Sequence, residues 1–214
     1  MHVHIERGNA VKFFTFDGMT EQLIDNAALD TEPAKPIPGI CQACHGGRYN
    51  PQTRQLLGAK FLPFDVFSFG YSNAAGFSFA DQSDAFRQLN ALVRASARHP
   101  TSITAFIDGM YTAGVSNPAS VADNGYIPAG WAGAETTYTF VVKPYCRMCH
   151  IAQDAPFDFM DKGSFMSLAA AIQGDVCTAH VMPHAEVPFK KLWQTTFPDA
   201  VAELKGFLNI TSCP

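Results

Sequence analysis

Two pentapeptides in this 214-residue chain carry the residue types and spacing of one chemistry: Cys41-Gln42-Ala43-Cys44-His45 and Cys146-Arg147-Met148-Cys149-His150. Both have the C-x-x-C-H form at which c-type haem is attached. Two thiols three positions apart on a helical turn can each add across a haem vinyl group to form a thioether. The adjoining His then presents its imidazole to the iron from one face. Given six Cys and seven His in the chain, chance supplies about 0.005 such pentapeptides, so a pair of them is a specific signal. The expectation is two covalently attached haem c groups, held by Cys41, Cys44, Cys146 and Cys149, with His45 and His150 as iron ligands.

Two other uses of C-x-x-C fit less well. Paired C-x-x-C motifs in a four-cysteine zinc site usually lie about 15–20 residues apart rather than roughly a hundred, and zinc does not require His directly after both. A thioredoxin-like dithiol explains one motif and not its duplicate, and needs a βαβ context that the sequence does not offer. Covalent haem attachment belongs outside the bacterial cytoplasm, where disulfides also persist, so a periplasmic or extracellular location is expected. Met1-His2-Val3-His4-Ile5-Glu6 has neither the positive n-region nor the apolar h-region of a signal peptide. The numbering is therefore expected to begin inside a longer precursor, or on a segment without its leader. In that compartment Cys177 and Cys213 are a candidate disulfide that would pin the C-terminal tail; two unrelated buried thiols are the alternative.

The sixth iron ligand separates a carrier from a catalyst. Met/His or His/His ligation suits electron shuttling, whereas an open face admits peroxide or oxygen. Val181-Met182-Pro183-His184-Ala185 follows the second motif, and a Met beside a Pro resembles the distal-ligand loop of small class I cytochromes c. Met182 is therefore the candidate on the second haem. For the first haem the candidates are His184, His180, His99, Met110, His2 and His4. His184 would let one loop bridge both irons, against the plainer reading of a loop residue or propionate partner. His2 and His4 would have to reach the haem of a neighbouring copy.

The elements that position these residues read as loop-rich. Thr31 to Ile40 contains three prolines and favours an extended run into the first motif. Gly46-Gly47 would let backbone pass close to a porphyrin face. Gly58 to Tyr71 concentrates aromatics, as a wrap over haem or as a core cluster. Residues 81–98 show helical spacing of Ala85, Phe86, Leu89, Leu92 and Val93, with Asp81 as N-cap and Pro100 as stop. Residues 114–135 look like a long surface loop, Thr136 to Val142 has strand composition, and Phe165 to Ile172 suits a short helix before Gly174. The implied organisation is an extended segment at 1–40, a first haem lobe at 41–135 and a second at 136–214.

Composition bounds the function. The chain is 47% hydrophobic and 16% charged, with a net charge of −4 and no run of basic residues, which argues against a nucleic-acid partner. Every apolar run is interrupted, so no membrane span is expected. Eighteen Phe and fourteen Pro beside so few charges suggest irregular segments wrapped around something large and apolar.

Cys41-x-x-Cys44-His45-Gly46-Gly47, Gly58 to Asp65, Pro144-x-Cys146-x-x-Cys149-His150-Ile151-Ala152-Gln153, Cys177, Met182-Pro183-His184-Ala185, Phe189 and Trp193 together resemble a family of bacterial exported two-haem c-type cytochromes. The resemblance implies a mainly α, loop-rich c-type cytochrome fold with minor β and two haem lobes. It implies electron transfer between redox partner proteins outside the cytoplasm, as a free carrier or as a subunit of a larger complex or filament with copies of itself or further haem proteins. The alternative is a two-haem peroxidase-like enzyme with one open haem; no catalytic residue is identifiable for it.

Overall fold

A computed structural model describes residues 11–28, 33–96, 101–182, 185–211 and 213. Among them the chain is mainly helical, with three short antiparallel hairpins gathered in its first quarter. β1 (Thr15–Phe16) pairs with β2 (Leu23–Ile24), and β3 (Asn26–Ala27) with β4 (Lys35–Pro36). A 3₁₀ turn, Gly39–Cys41, then leads into α1 (Gln42–His45), which carries the end of the first C-x-x-C-H motif. β5 (Arg48–Asn50) and β6 (Gln55–Leu57) complete this part. The prolines of the expected extended run thus end in a hairpin strand and a turn that aim Cys41 inward.

α2 (Phe79–Ser96) starts two residues before the expected Asp81. Ser78 is the cap: its hydroxyl accepts from the Asp81 N–H at 3.1 Å while the Asp81 carboxylate accepts from the Ser78 N–H at 3.3 Å. Asp81 is therefore the reciprocal third residue of a capping box rather than its first. α3 (Ser102–Met110) is capped in the same way by Thr101 and Thr104 and buries Ile103, Phe106, Ile107 and Met110, a spacing that places all four on one face.

The strand expected at 136–142 is helical. α4 (Glu135–Thr137) runs into a π-helix, Tyr138–Cys146, and then α5 (Arg147–His150), which carries the end of the second C-x-x-C-H motif. Tyr138, Val141 and Val142 are buried, and their i, i+3, i+4 spacing suits a helical face packed on one core; tertiary burial overrides β propensity here. α6 (Lys162–Ser167) and α7 (Ala169–Ile172) follow, and a π-helix, Gln173–Ala179, carries the segment through Gly174, where a stop was expected. α8 (Glu186–Gln194) and α9 (Ala200–Leu208) close the chain.

Three apolar clusters organise the molecule. One, around Phe13, Ile37, Ile40, Cys41 and Leu56, sits under the hairpins. A second joins α2 and α3 to Val66 and to Ile151 and Ala152, the residues directly after the second motif. The third gathers Trp131, Tyr138, Phe165, Leu192 and Leu204. Residues 111–134 are irregular as expected, yet Trp131 is fully buried and its indole N–H donates to the Phe159 carbonyl at 2.9 Å. The aromatics of 58–71 form a core cluster: Phe64, Phe69 and Tyr71 pack on Phe86, and Phe67 and Tyr71 on Phe79. Cys177 and Cys213 form a disulfide with a Cα–Cα distance of 4.6 Å. No helix of the described residues is long and apolar enough to cross a membrane.

Candidate haem-attachment sites

Each motif forms one helical turn that ends in its histidine, so both thiols and the imidazole emerge along one short stretch. The two histidines are oriented alike. His45 Nδ1 lies 2.8 Å from the Lys60 carbonyl, and His150 Nδ1 lies 2.8 Å from the Phe157 carbonyl. A carbonyl can only accept, so Nδ1 carries the proton in both rings and Nε2 is left as the lone-pair donor, the arrangement that backbone carbonyls impose on metal-binding histidines. Burial holds both imidazoles below the usual histidine range, partly offset by the hydrogen bonds to the Lys60 and Phe157 carbonyls, and so favours the neutral form a metal needs. His150 is further fixed by parallel stacking on Phe159, with ring centroids 4.1 Å apart, and His45 meets Phe13 edge-on at 4.8 Å.

The second motif opens on an apolar cavity. One pocket of about 740 Å³, counted with the solvent at its mouth, is lined by Cys146, His150 and Met182 among apolar residues including Phe157, Phe165 and Phe189. An adjoining pocket of about 720 Å³ adds Cys149, Gln153 and Ala43 while sharing Tyr145, Cys146, His150, Phe157 and Met182. Met182 comes from the loop that leaves the second π-helix at His180, whose φ of 53° is left-handed, and its carbonyl accepts from the Ala185 N–H at 3.1 Å. The structure thus brings Met182, named from a Met-Pro dipeptide, to the cavity that holds His150 and both thiols of its motif. The donor set and the apolar walls fit haem c: two thiols for the thioethers, an imidazole Nε2, and a thioether sulfur from the other side of the sequence.

Burial pushes the Cys41 thiol up to about 11 and the Cys146 thiol up to about 12. Cys41 belongs to the cluster under the hairpins, and Cys146 packs against the one around Trp131. The four sulfurs do not close a single tetrahedral site. Among the described residues, no three His, Cys, Asp or Glu side chains are grouped to hold a metal ion.

Of the residues considered for the first haem's far side, Met110 is enclosed in the α2–α3 core at 1% exposure, and His180 stacks on Trp193 with centroids 4.7 Å apart. His184, His99, His2 and His4 lie outside the described residues.

The sequence reading missed how closely the two motifs meet. Cys44 Sγ lies 3.4 Å from Cys149 Sγ. Gln153 donates to the carbonyls of Ala43 and Gln42 at 2.8 and 3.3 Å. The Lys60 ammonium donates to the Ala152 carbonyl at 2.8 Å and pairs with Asp154 at 2.7 Å. Gly46, at φ 65°, passes so close that a Cβ there would stand 2.4 Å from the Ala152 carbonyl oxygen, and one on Gly47 would stand 2.5 Å from that of Leu57. The two glycines therefore admit backbone rather than a porphyrin face. Also missed was Arg147, inside the second motif, whose Nε and Nη2 both donate to Asp65 Oδ2 at 2.9 and 2.6 Å while Nη1 donates to the Tyr138 hydroxyl at 3.1 Å. Its guanidinium also lies 4.6 Å from the Phe106 ring centroid. A lone carboxylate in the aromatic run Phe61-Leu62-Pro63-Phe64-Asp65-Val66-Phe67 was the available signal, because an acid there needs a partner.

No protein-family model matches the chain, and neither any curated protein nor any solved structure is similar to it.

Proposed function

We propose that this chain is a two-haem c-type cytochrome that passes electrons between redox partners outside the cytoplasm, as a carrier or as a subunit of a larger electron-transfer assembly. The observation that carries this reading is one apolar cavity lined by Cys146, Cys149, His150 and Met182. The matched orientation of His45 and His150 by backbone carbonyls supports it at both motifs. Bound haem would supply a one-electron iron couple. Of the chain's own residues, His150 and Met182 would hold the iron, and a Met/His pair would favour a higher potential than two His would. The family resemblance carried by the two motifs and the Met182 loop belongs to the same proposal.

A second reading, a two-haem peroxidase-like enzyme with one open iron, draws its support from Met110 and His180, both of which the structure commits to packing. Electron paramagnetic resonance of the oxidised holoprotein separates the two. Two low-spin signals, one with the shape of Met/His ligation, are expected for the cytochrome. A high-spin signal from one haem would overturn it in favour of the enzyme.

A further inference from the structure

A cavity of different character lies beside the second motif, walled by the first π-helix, α5, α8 and the loop at Phe67 and Ser68. It holds about 1100 Å³, counted with the solvent at its mouth. Among the described residues neither the motif thiols nor His150 nor Met182 line it, so it is separate from the apolar cavity of that motif, with Tyr145 as a shared wall. Three cations reach it, Lys143, Arg147 and Lys191, and no carboxylate of the described residues does. The chain as a whole carries a net charge of −4, so this local excess of base is not its general background. Asp65 answers only the Arg147 charge. Lys143 is held by neutral oxygens: the side chain and the carbonyl of Asn124 accept from its ammonium at 2.6 and 2.5 Å. Lys191, exposed on α8, makes no hydrogen bond or ion pair among the described residues. Burial and then the Arg147 charge draw the Lys143 ammonium below the ordinary lysine range, offset only in part by Asp65 and Asp123. The rest of the wall is largely apolar, with Phe67, Pro144 and Val187. Val187, Lys191 and Thr195 recur at four-residue spacing along α8 and its C-terminal cap, and the Tyr145 hydroxyl donates to the Thr195 hydroxyl at 2.8 Å, which ties that face to the π-helix.

We propose that this cavity is a binding site for a small organic carboxylate with an apolar body, its acid group between Lys143 and Lys191 and its body against Phe67, Pro144 and Val187. Like charges that share a cavity repel, and an anion placed between them turns that repulsion into attraction. A carboxylate has lone pairs enough to accept from both ammonium groups, and such charge-assisted bonds are stronger than neutral ones. An inorganic anion would satisfy the charges and leave the apolar wall facing water, whereas a neutral apolar molecule would cover the wall and leave the charges unanswered; only a ligand with both parts meets both needs. Part of the ordering cost is already met, because Asn124 holds Lys143 and the Tyr145–Thr195 bond fixes α8 before any ligand arrives. Binding is non-covalent and independent of whether haem is attached.

The test is isothermal titration calorimetry of the full chain with two probes, 2-naphthoate and octanoate. At least one should bind saturably with one molecule per chain, while acetate, an acid group without the body, and 2-naphthol, a body without the charge, should bind at least about tenfold more weakly. Lys191→Gln, at an exposed position where the fold does not depend on the side chain, should weaken the carboxylate about tenfold, and Val187→Ser should weaken it as well. Lys190→Gln, on the same helix but paired with Glu186 outside the cavity, should leave the affinity unchanged. No saturable binding of either probe at millimolar concentration would overturn the proposal. So would binding that Lys191→Gln leaves unaltered, because it would place the ligand elsewhere, or binding of 2-naphthol as tight as that of 2-naphthoate, because it would leave the ammonium groups without a role.

Discussion

Arg147 occupies one of the two positions between Cys146 and Cys149, yet its side chain turns inward to Asp65, with both partners under a tenth exposed. Both guanidinium contacts fall on Asp65 Oδ2, and Oδ1 is buried without a hydrogen-bond partner, so the pair holds position more than it maximises stability. Removing one member of a buried pair strands the other's charge. Asp65→Leu or Arg147→Met alone should therefore cost about 3–5 kcal/mol, while the double variant should recover much of that loss. Chemical denaturation of the three variants checks this; a double variant as unstable as the sum of the singles would contradict it. Met182 offers a spectroscopic prediction. Met182→His should keep the second haem low-spin, abolish the Met-to-iron charge-transfer absorption and lower that haem's reduction potential, because thioether ligation favours the reduced iron. Redox titration of the variant beside the unaltered protein reads this directly.

Between elements, the contact of α1 with α5 hinges on Gly46. Its φ of 65° and ψ of −160° fall in a region essentially reserved for glycine, and a methyl group there would collide with the Ala152 carbonyl. Gly46→Ala should cost at least about 1–3 kcal/mol, whereas Gly18→Ala, with nothing within 4 Å of the added carbon, should cost less. Equal stabilities of the two variants in chemical denaturation would contradict this. What the sequence revealed divides along the same line. The helix α2 was legible because it rests on a local signal, a 3.6-residue period. The helix at 135–150 was not, since Thr-Thr-Tyr-Thr-Phe-Val-Val has strand propensity and only burial against Trp131 and Leu204 turns it helical. Nor was the meeting of the motifs, which depends on contacts between residues about a hundred positions apart that no local pattern records.

Over the whole molecule, a mainly helical chain with three apolar clusters is tied at its end by the Cys177–Cys213 disulfide, both halves of which are buried. The bridge spans 36 residues, and the chain-entropy relation for a loop of that length gives about 4 kcal/mol. Cys177→Ala/Cys213→Ala should lower stability by that order in thermal or denaturant unfolding. The two-haem reading stands on four thioether bonds. The most direct measurement is therefore the intact mass of the unfolded protein, produced in cells with a c-type haem maturation system and exported to the periplasm. The expected mass is that of the polypeptide plus two haems that survive denaturation. A polypeptide without haem, or one that releases its haem on unfolding, would contradict the account.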